Sequence, residues 1–242
     1  MQQVRGDLSS ISRTLSKGVT RLAFADPVSH TYNPLAYARA PHEAYLERYG
    51  SGTKEVVLVG MNPGPFGMVQ TGVPFGDVAM VRDFLGIQAR VSKPAIEHEK
   101  RPIQGFDCAR REISGHRLWG WVRERFGSAD RFFERFFVVN YCPLAFLEAS
   151  GKNRTPDRLP PAEREALFAA CDAALRDVIE LLRPRHVVGI GAFAERRVRE
   201  VVSDPATSIS TILHPSPASP KANADWAGVI SAQLAHAGIR IG

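Results

Sequence analysis

Short apolar segments separated by longer stretches of helical periodicity set the pattern of this chain. Four segments read as buried strands: 55–60, 136–139, 186–191 and 207–213. They are too short for ordinary helices and are rich in Val, Ile and Phe. Between and around them, apolar residues recur at helical spacing. Leu8, Ile11 and Leu15 mark a helix over 7–17, and Tyr45–Tyr49 belongs to another short helix. Val78–Leu85 reads as helical, and Leu118, Trp119, Val122 and Phe126 form a stripe over 115–127. The clearest amphipathic helix opens at Pro160-Pro161, runs to about Leu182 and buries Leu167, Cys171, Leu175 and Val178 on one face. Helices over 192–202 and 221–237 follow. Residues 24–41 and 86–113, broken by prolines and turn formers, read as irregular. Strands that alternate with helices predict a parallel sheet covered on both faces.

The segment ends carry the chemistry. Val56-Val57-Leu58-Val59-Gly60 runs into Met61-Asn62-Pro63-Gly64-Pro65-Phe66-Gly67, where prolines and glycines stop any regular structure and Asn62 is the one polar side chain. The second strand delivers Asn140 to Tyr141-Cys142-Pro143. The fourth delivers His214 to Pro215-Ser216-Pro217-Ala218-Ser219-Pro220, a stiff loop with three prolines after the histidine. Ligands of open α/β sheets bind at strand carboxyl ends, so Asn62, Asn140 and His214 are expected to share one crevice. A side-chain amide offers a donor and an acceptor, which suits the edge of a nucleobase. Phe75, between Pro74 and Gly76, either walls a site or plugs the core beneath its loop. Cys142 reads as a buried thiol rather than a nucleophile. The Gly189-Ile190-Gly191 sequence is too short for a dinucleotide fingerprint.

Composition narrows the classes. A length of 242 residues, 44% hydrophobic, suits one domain with a substantial core. No run approaches a membrane span, and the N-terminus lacks the apolar centre of a signal peptide. Cys108, Cys142 and Cys171 are widely separated, which argues against a structural zinc or iron–sulfur site and fits a reducing, intracellular setting. No metal or cofactor is expected. The net charge is +6, and Lys100–Arg135 holds nine basic and five acidic residues, a local net of +4. Such a balance favours phosphate-bearing partners. Arg117, Arg123 and Arg125 read mainly as a solvated helix face, with phosphate contact as the alternative.

Gly60–Met68 together with Gln70-Thr71-Gly72-Val73-Pro74-Phe75-Gly76 resembles the first motif of the single-strand-selective monofunctional uracil-DNA glycosylases, and His214-Pro215-Ser216-Pro217 resembles their second. The resemblance extends to Tyr32-Asn33-Pro34, Ser114–Gly120, Asn140–Leu144 and Ser150–Asn153, nearly the whole chain. It implies a three-layer α/β/α sandwich around a four-stranded parallel sheet, a single domain and a monomer. By motif, Asn62 would position the water that attacks C1′ of the sugar. His214 would stabilise the leaving base at O2, and Asn140 would read the O4/N3 edge. Phe75 would stack on the base, with Met61 and Gly64 shaping the pocket. The 215–220 loop (Pro215, Ser216, Pro217, Ala218, Ser219, Pro220) would wedge into a duplex. The loop that opens with Ser150, Gly151, Lys152, Asn153 and Arg154 would touch DNA, single- or double-stranded. Animal members carry Arg where Ala218 stands. No lysine lies within the pocket motifs, so a Schiff-base lyase step is not expected. Uracil, 5-hydroxymethyluracil and related oxidised pyrimidines are the implied substrates, with thymine handled poorly. Two competing readings remain: a non-catalytic binder of damaged or single-stranded DNA, and a hydrolase pairing Ser216 with His214, which lacks the nucleophile-elbow motif.

Overall fold

The computed structural model describes residues 7–241; Met1–Gly6 of the N-terminal reading and Gly242 lie outside it. In chain order the elements are α1 (Leu8–Thr20), β1 (Val28–Tyr32), α2 (Pro34–Tyr37), α3 (Arg39–Tyr49), β2 (Val56–Gly60) and α4 (Met68–Thr71). There follow α5 (Ile113–Phe126), α6 (Ala129–Phe133), β3 (Phe136–Asn140), β4 (Ala145–Glu148), β5 (Asn153–Arg154) and α7 (Pro161–Leu182). The chain closes with β6 (His186–Ile190), α8 (Ala192–Val201), β7 (Ser208–Ile212) and α9 (Pro220–His236).

Strands β3, β2, β6 and β7, in that order, form a parallel sheet. Every residue of β2 is buried, as expected for a strand covered on both faces. Right-handed crossovers put α5 on the face opposite α7 and α8, and α9 joins α5 through Trp121, whose indole N–H donates to Ser231 Oγ at 3.1 Å. The sandwich expected from the alternating pattern is therefore present. Its core centres on a cluster of stacked and edge-on rings: Tyr45, Trp119, Phe132, Phe133, Phe136 and Phe137.

Two segments depart most clearly from the sequence reading. Residues 28–32 form β1, paired antiparallel with β4, and β5 adds a third strand to this small second sheet. Prolines at 27 and 34 frame β1 and hide a strand of only five residues inside a segment that reads as loop. Val78–Leu85 is not a plain α-helix: Met80–Phe84 is wound as a π-helix. The thiols of Cys142 and Cys171 are buried side by side, and hydrogen bonding and burial raise the Cys171 pKa, which fits structural cysteines.

Register fixes where the strands end. Gly60 lies opposite Asn140, Val59 opposite Gly189, and Ile190 opposite Ile212. All four carboxyl ends therefore open on one edge of the sheet. The chain leaves β2 toward β3 and leaves β6 in the opposite direction toward β7, so a crevice opens between the two departing connections.

Candidate active site

A cleft of about 330 Å³ occupies this crevice, and Asn62, Phe75, Asn140 and His214 all line it, with Met61 and Gly64. Each is placed by a local necessity. Asn62 follows β2 by two residues; its Nδ2 donates to the Leu144 carbonyl at 3.2 Å. That bond orients the amide and leaves Oδ1 and the second Nδ2 hydrogen for a ligand. Asn140 is the last residue of β3, and its Nδ2 lies 3.2 Å from Met68 Sδ. Gly60, between them, has to be glycine. A Cβ there would overlap Asn140 Oδ1 and come within 2.7 Å of the Phe75 ring.

Phe75 adopts φ 53°, in the left-handed region that costs a bulky side chain energy. Two donors hold it there: the Trp119 indole N–H at 3.0 Å and the Asp77 amide at 2.9 Å both reach the Phe75 carbonyl. Gly115 is pressed against that carbonyl too closely for any side chain. The ring is nearly buried yet forms part of the cleft wall, so the two readings of Phe75 describe two sides of one ring. Its centroid lies 6.2 Å from that of His214.

His214 follows β7 by two residues. Burial pushes its pKa down to about 4, so the ring is neutral near pH 7. Gly191 makes room for it: φ is +89°, and a Cβ there would sit 3.3 Å from His214 Cβ. Gly189 is packed against the backbone of Glu195 in α8. The GxG sequence thus serves helix packing and the approach of His214.

The loop after His214 is braced from α5. Arg117 donates to the Pro215 carbonyl at 3.1 Å and to Asn223 Oδ1 at 2.8 Å, while Asn223 Nδ2 donates to the Pro217 carbonyl at 2.9 Å. Ser219 caps α9 by accepting from the Ala222 amide, and Pro220 starts that helix. Ser216 reaches the cleft, and Pro217 and Ala218 stand exposed at the tip. Arg117 is therefore a loop brace, whereas Arg123 and Arg125 are exposed on the solvated face.

The residues from 150 to 154 divide. Asn153 lines the cleft and donates to the Pro63 carbonyl at 3.0 Å. Ser150 and Lys152 are exposed at the turn joining β4 to β5, with Gly151 at φ +81°. Arg154 is turned away into a pair with Glu148 at 3.2 Å. Beside the turn, Arg101 and Arg110 lie over the two-sided ring of Phe66, 5.3 and 3.9 Å from its centroid. Clustered arginines were legible as charge; their gathering around Phe66 was not.

The comparisons with known proteins agree with this fold. The family description "Uracil DNA glycosylase superfamily" matches residues 47–231. A protein of Rattus norvegicus named single-strand selective monofunctional uracil-DNA glycosylase is 48% identical over 227 residues, covering 93% of this chain and 82% of its own. Proteins named in the same way from Bos taurus and Mus musculus are 46% and 47% identical, with 93% of this chain covered and 84% and 81% of theirs. This chain belongs to that family. A solved structure described as wild-type Pedobacter heparinus SMUG2 superposes with a TM-score of 0.65 over 93% of this chain and 96% of the other, at 18% identity, and shows the same fold. Two residues stand in or beside the cleft that the sequence reading did not place there: Arg117, described above and read as surface, and Glu112. The Glu112 carboxyl caps α5 by accepting the amides of Ser114 and Gly115, and it lines the cleft beneath Gly64.

Proposed function

We propose that this protein removes uracil from DNA by hydrolysing the N-glycosidic bond, leaving an abasic site. The observation that carries the reading is the convergence of Asn62, Asn140, His214 and Phe75 on one cleft at the switch of the sheet. A base in a duplex has to leave the stack before such a cleft can hold it. Phe75 then offers a flat wall, and Asn140 an amide for the O4/N3 edge.

Bond cleavage spreads positive charge over the sugar and negative charge over the departing base. Neutral His214 donates an N–H to O2 and stabilises charge that develops only as the bond breaks. Asn62, whose Nδ2 donates to the Leu144 carbonyl, offers Oδ1 to a water on the C1′ side. The amide does not titrate in the working range, so it orients the water without taking its proton. Water oxygen bonds to C1′, the N1–C1′ pair leaves with the base, and the water's proton balances the uracil anion through solvent. Among the described residues no lysine lines the cleft, so the reading includes hydrolysis without a Schiff-base step. The braced proline loop supplies the wedge, and the Phe66 rim with Lys152 contacts phosphates. The small Gly64 leaves room beside C5, so 5-hydroxymethyluracil joins uracil as a substrate.

The test is base release from an oligonucleotide with a single uracil, with and without alkali. The wild-type protein is expected to free uracil, with strand breakage only after alkali. Asn62→Ala and His214→Ala should each lose on the order of 10²-fold or more in single-turnover rate. Tight binding without release by the wild type would instead support a non-catalytic binder of damaged DNA.

A further inference from the structure

Tyr141 is a buried phenol that the hydrolytic roles above leave unused. It follows Asn140 directly. Its ring is turned to the helices on one face of the sheet, edge-on to Phe168 of α7 and Phe193 of α8, with centroids 5.6 and 5.7 Å away. The hydroxyl donates to Asp172 Oδ1 in α7 at 2.7 Å, in preference to the Phe168 carbonyl at 3.4 Å. It accepts from Arg197 Nε in α8 at 3.1 Å. Arg197 Nη2 completes the triad by pairing with Asp172 Oδ2, and its guanidinium lies 4.7 Å from the Phe168 centroid. Burial, and then the bond to Asp172, push the phenol pKa well above its ordinary value, so the hydroxyl stays a donor.

The triad holds the carboxyl end of β3. Successive side chains of a strand point to opposite faces, so anchoring Tyr141 on one face sets the direction of Asn140 on the other. The ladder between β2 and β3 runs on through the same residues. The Tyr141 N–H donates to the Gly60 carbonyl and the Cys142 N–H to the Met61 carbonyl, both at 2.9 Å. Packing restrains this end less. A cavity of about 70 Å³ flanks it, lined by Val139, Asn140 and Tyr141 and by Leu8, Leu175 and Val178. A side chain beside a void has room to shift, which a close-packed one lacks. Among the described residues the Asn140 amide donates only to Met68 Sδ, a weak acceptor. We propose that Tyr141, Asp172 and Arg197 are positioning residues that hold Asn140 against the edge of the flipped base. The inference rests on the glycosylase reading, in which Asn140 faces N3 and O4 of uracil.

The consequence falls on the chemical step. Negative charge developing on the departing base spreads over its two carbonyl oxygens, and an amide aimed at O4 stabilises it only where the geometry is kept. Affinity for DNA comes mainly from phosphate contacts, which the triad does not touch.

The experiment measures single-turnover uracil release at saturating protein, together with Kd for the same oligonucleotide without uracil. The proteins are the wild type, Tyr141→Phe, Asp172→Ala, Asn140→Ala and the double variant Tyr141→Phe/Asn140→Ala. Tyr141→Phe keeps the ring and its edge-on contacts and should fold as the parent does, so it carries the test if Asp172→Ala is unstable. Each of the two triad variants should slow release about tenfold and leave Kd unchanged. In the Asn140→Ala background, Tyr141→Phe should cost less than about twofold, because the amide that it positions is gone. A triad that only stabilised the fold would lower the melting temperature and leave the rate of release well below that temperature at the parental value. That result for Tyr141→Phe, or an equal loss in the two backgrounds, overturns the assignment. Failure of the wild type to release uracil at all would overturn the glycosylase reading and this inference with it.

Discussion

At the residue scale the site depends on two side chains held where they would not go unaided. Phe75 sits in the left-handed region because the Trp119 indole and the Asp77 amide take its carbonyl, so the ring reaches the cleft at an energetic cost that the helix behind it offsets. His214 is neutral because burial disfavours its charged form. The linkage follows directly. The unfolded chain binds a proton at His214 near the ordinary value of 6.5, whereas the folded ring binds one only near 4. The contribution of His214 to stability is therefore fully present above about pH 6.5 and declines as pH falls toward 4; buried His42, also lowered to about 4, adds a loss of the same sign. NMR titration of the imidazole should give a His214 midpoint near 4, and single-turnover base release should show no step near pH 6.5 from this group. A midpoint at 6.5 would mean that an imidazolium faces the base.

At the element scale the carboxyl ends of the strands are positioned by register, and glycine is what lets their side chains meet. Gly60 shares its row with Asn140 and lies against the Phe75 ring. Gly60→Ala should leave the fold intact, since β2 keeps its ladder, but displace Asn140 and Phe75 from the positions proposed for them around the base. A loss of about 10²-fold in kcat/KM is expected from such a misplacement, with only a small change in melting temperature. Equal kinetics for the variant and the parent would show that the two side chains relax freely. The braced loop after His214 follows the same logic: its prolines stiffen it, but Arg117 and Asn223 fix its direction. The small sheet of β1, β4 and β5 brings Asn153 to the cleft edge, where it holds the Pro63 carbonyl.

At the scale of the whole molecule, part of the net charge of +6 is gathered where two arginines lie over one aromatic ring. Arg101 and Arg110 flank Phe66 next to the turn that carries Lys152. Replacing both arginines by alanine should weaken binding to DNA of any sequence and reduce the slope of log K against log salt by roughly 1.5. An unchanged slope would place the phosphate contacts elsewhere. The sheet and most of its helices were legible in the sequence because buried parallel strands read as short apolar runs and amphipathic helices as stripes. Asn62, Asn140 and His214 were legible for the same reason: each is the polar residue at the end of such a run. Strand β1 was not, because five residues between two prolines carry too little pattern. Nor was Glu112, which reads as one more acid before a helix until the fold slides its carboxyl beneath Gly64. Arg117 reads as surface until the loop after His214 comes to rest against it. Local pattern sets which segments are strands or helices and which polar residues end them, because period and burial are properties of neighbours along the chain. Which of those residues meet, which charges are neutralised and which face a base are decided by contacts between residues far apart in sequence, and those exist only in the folded protein.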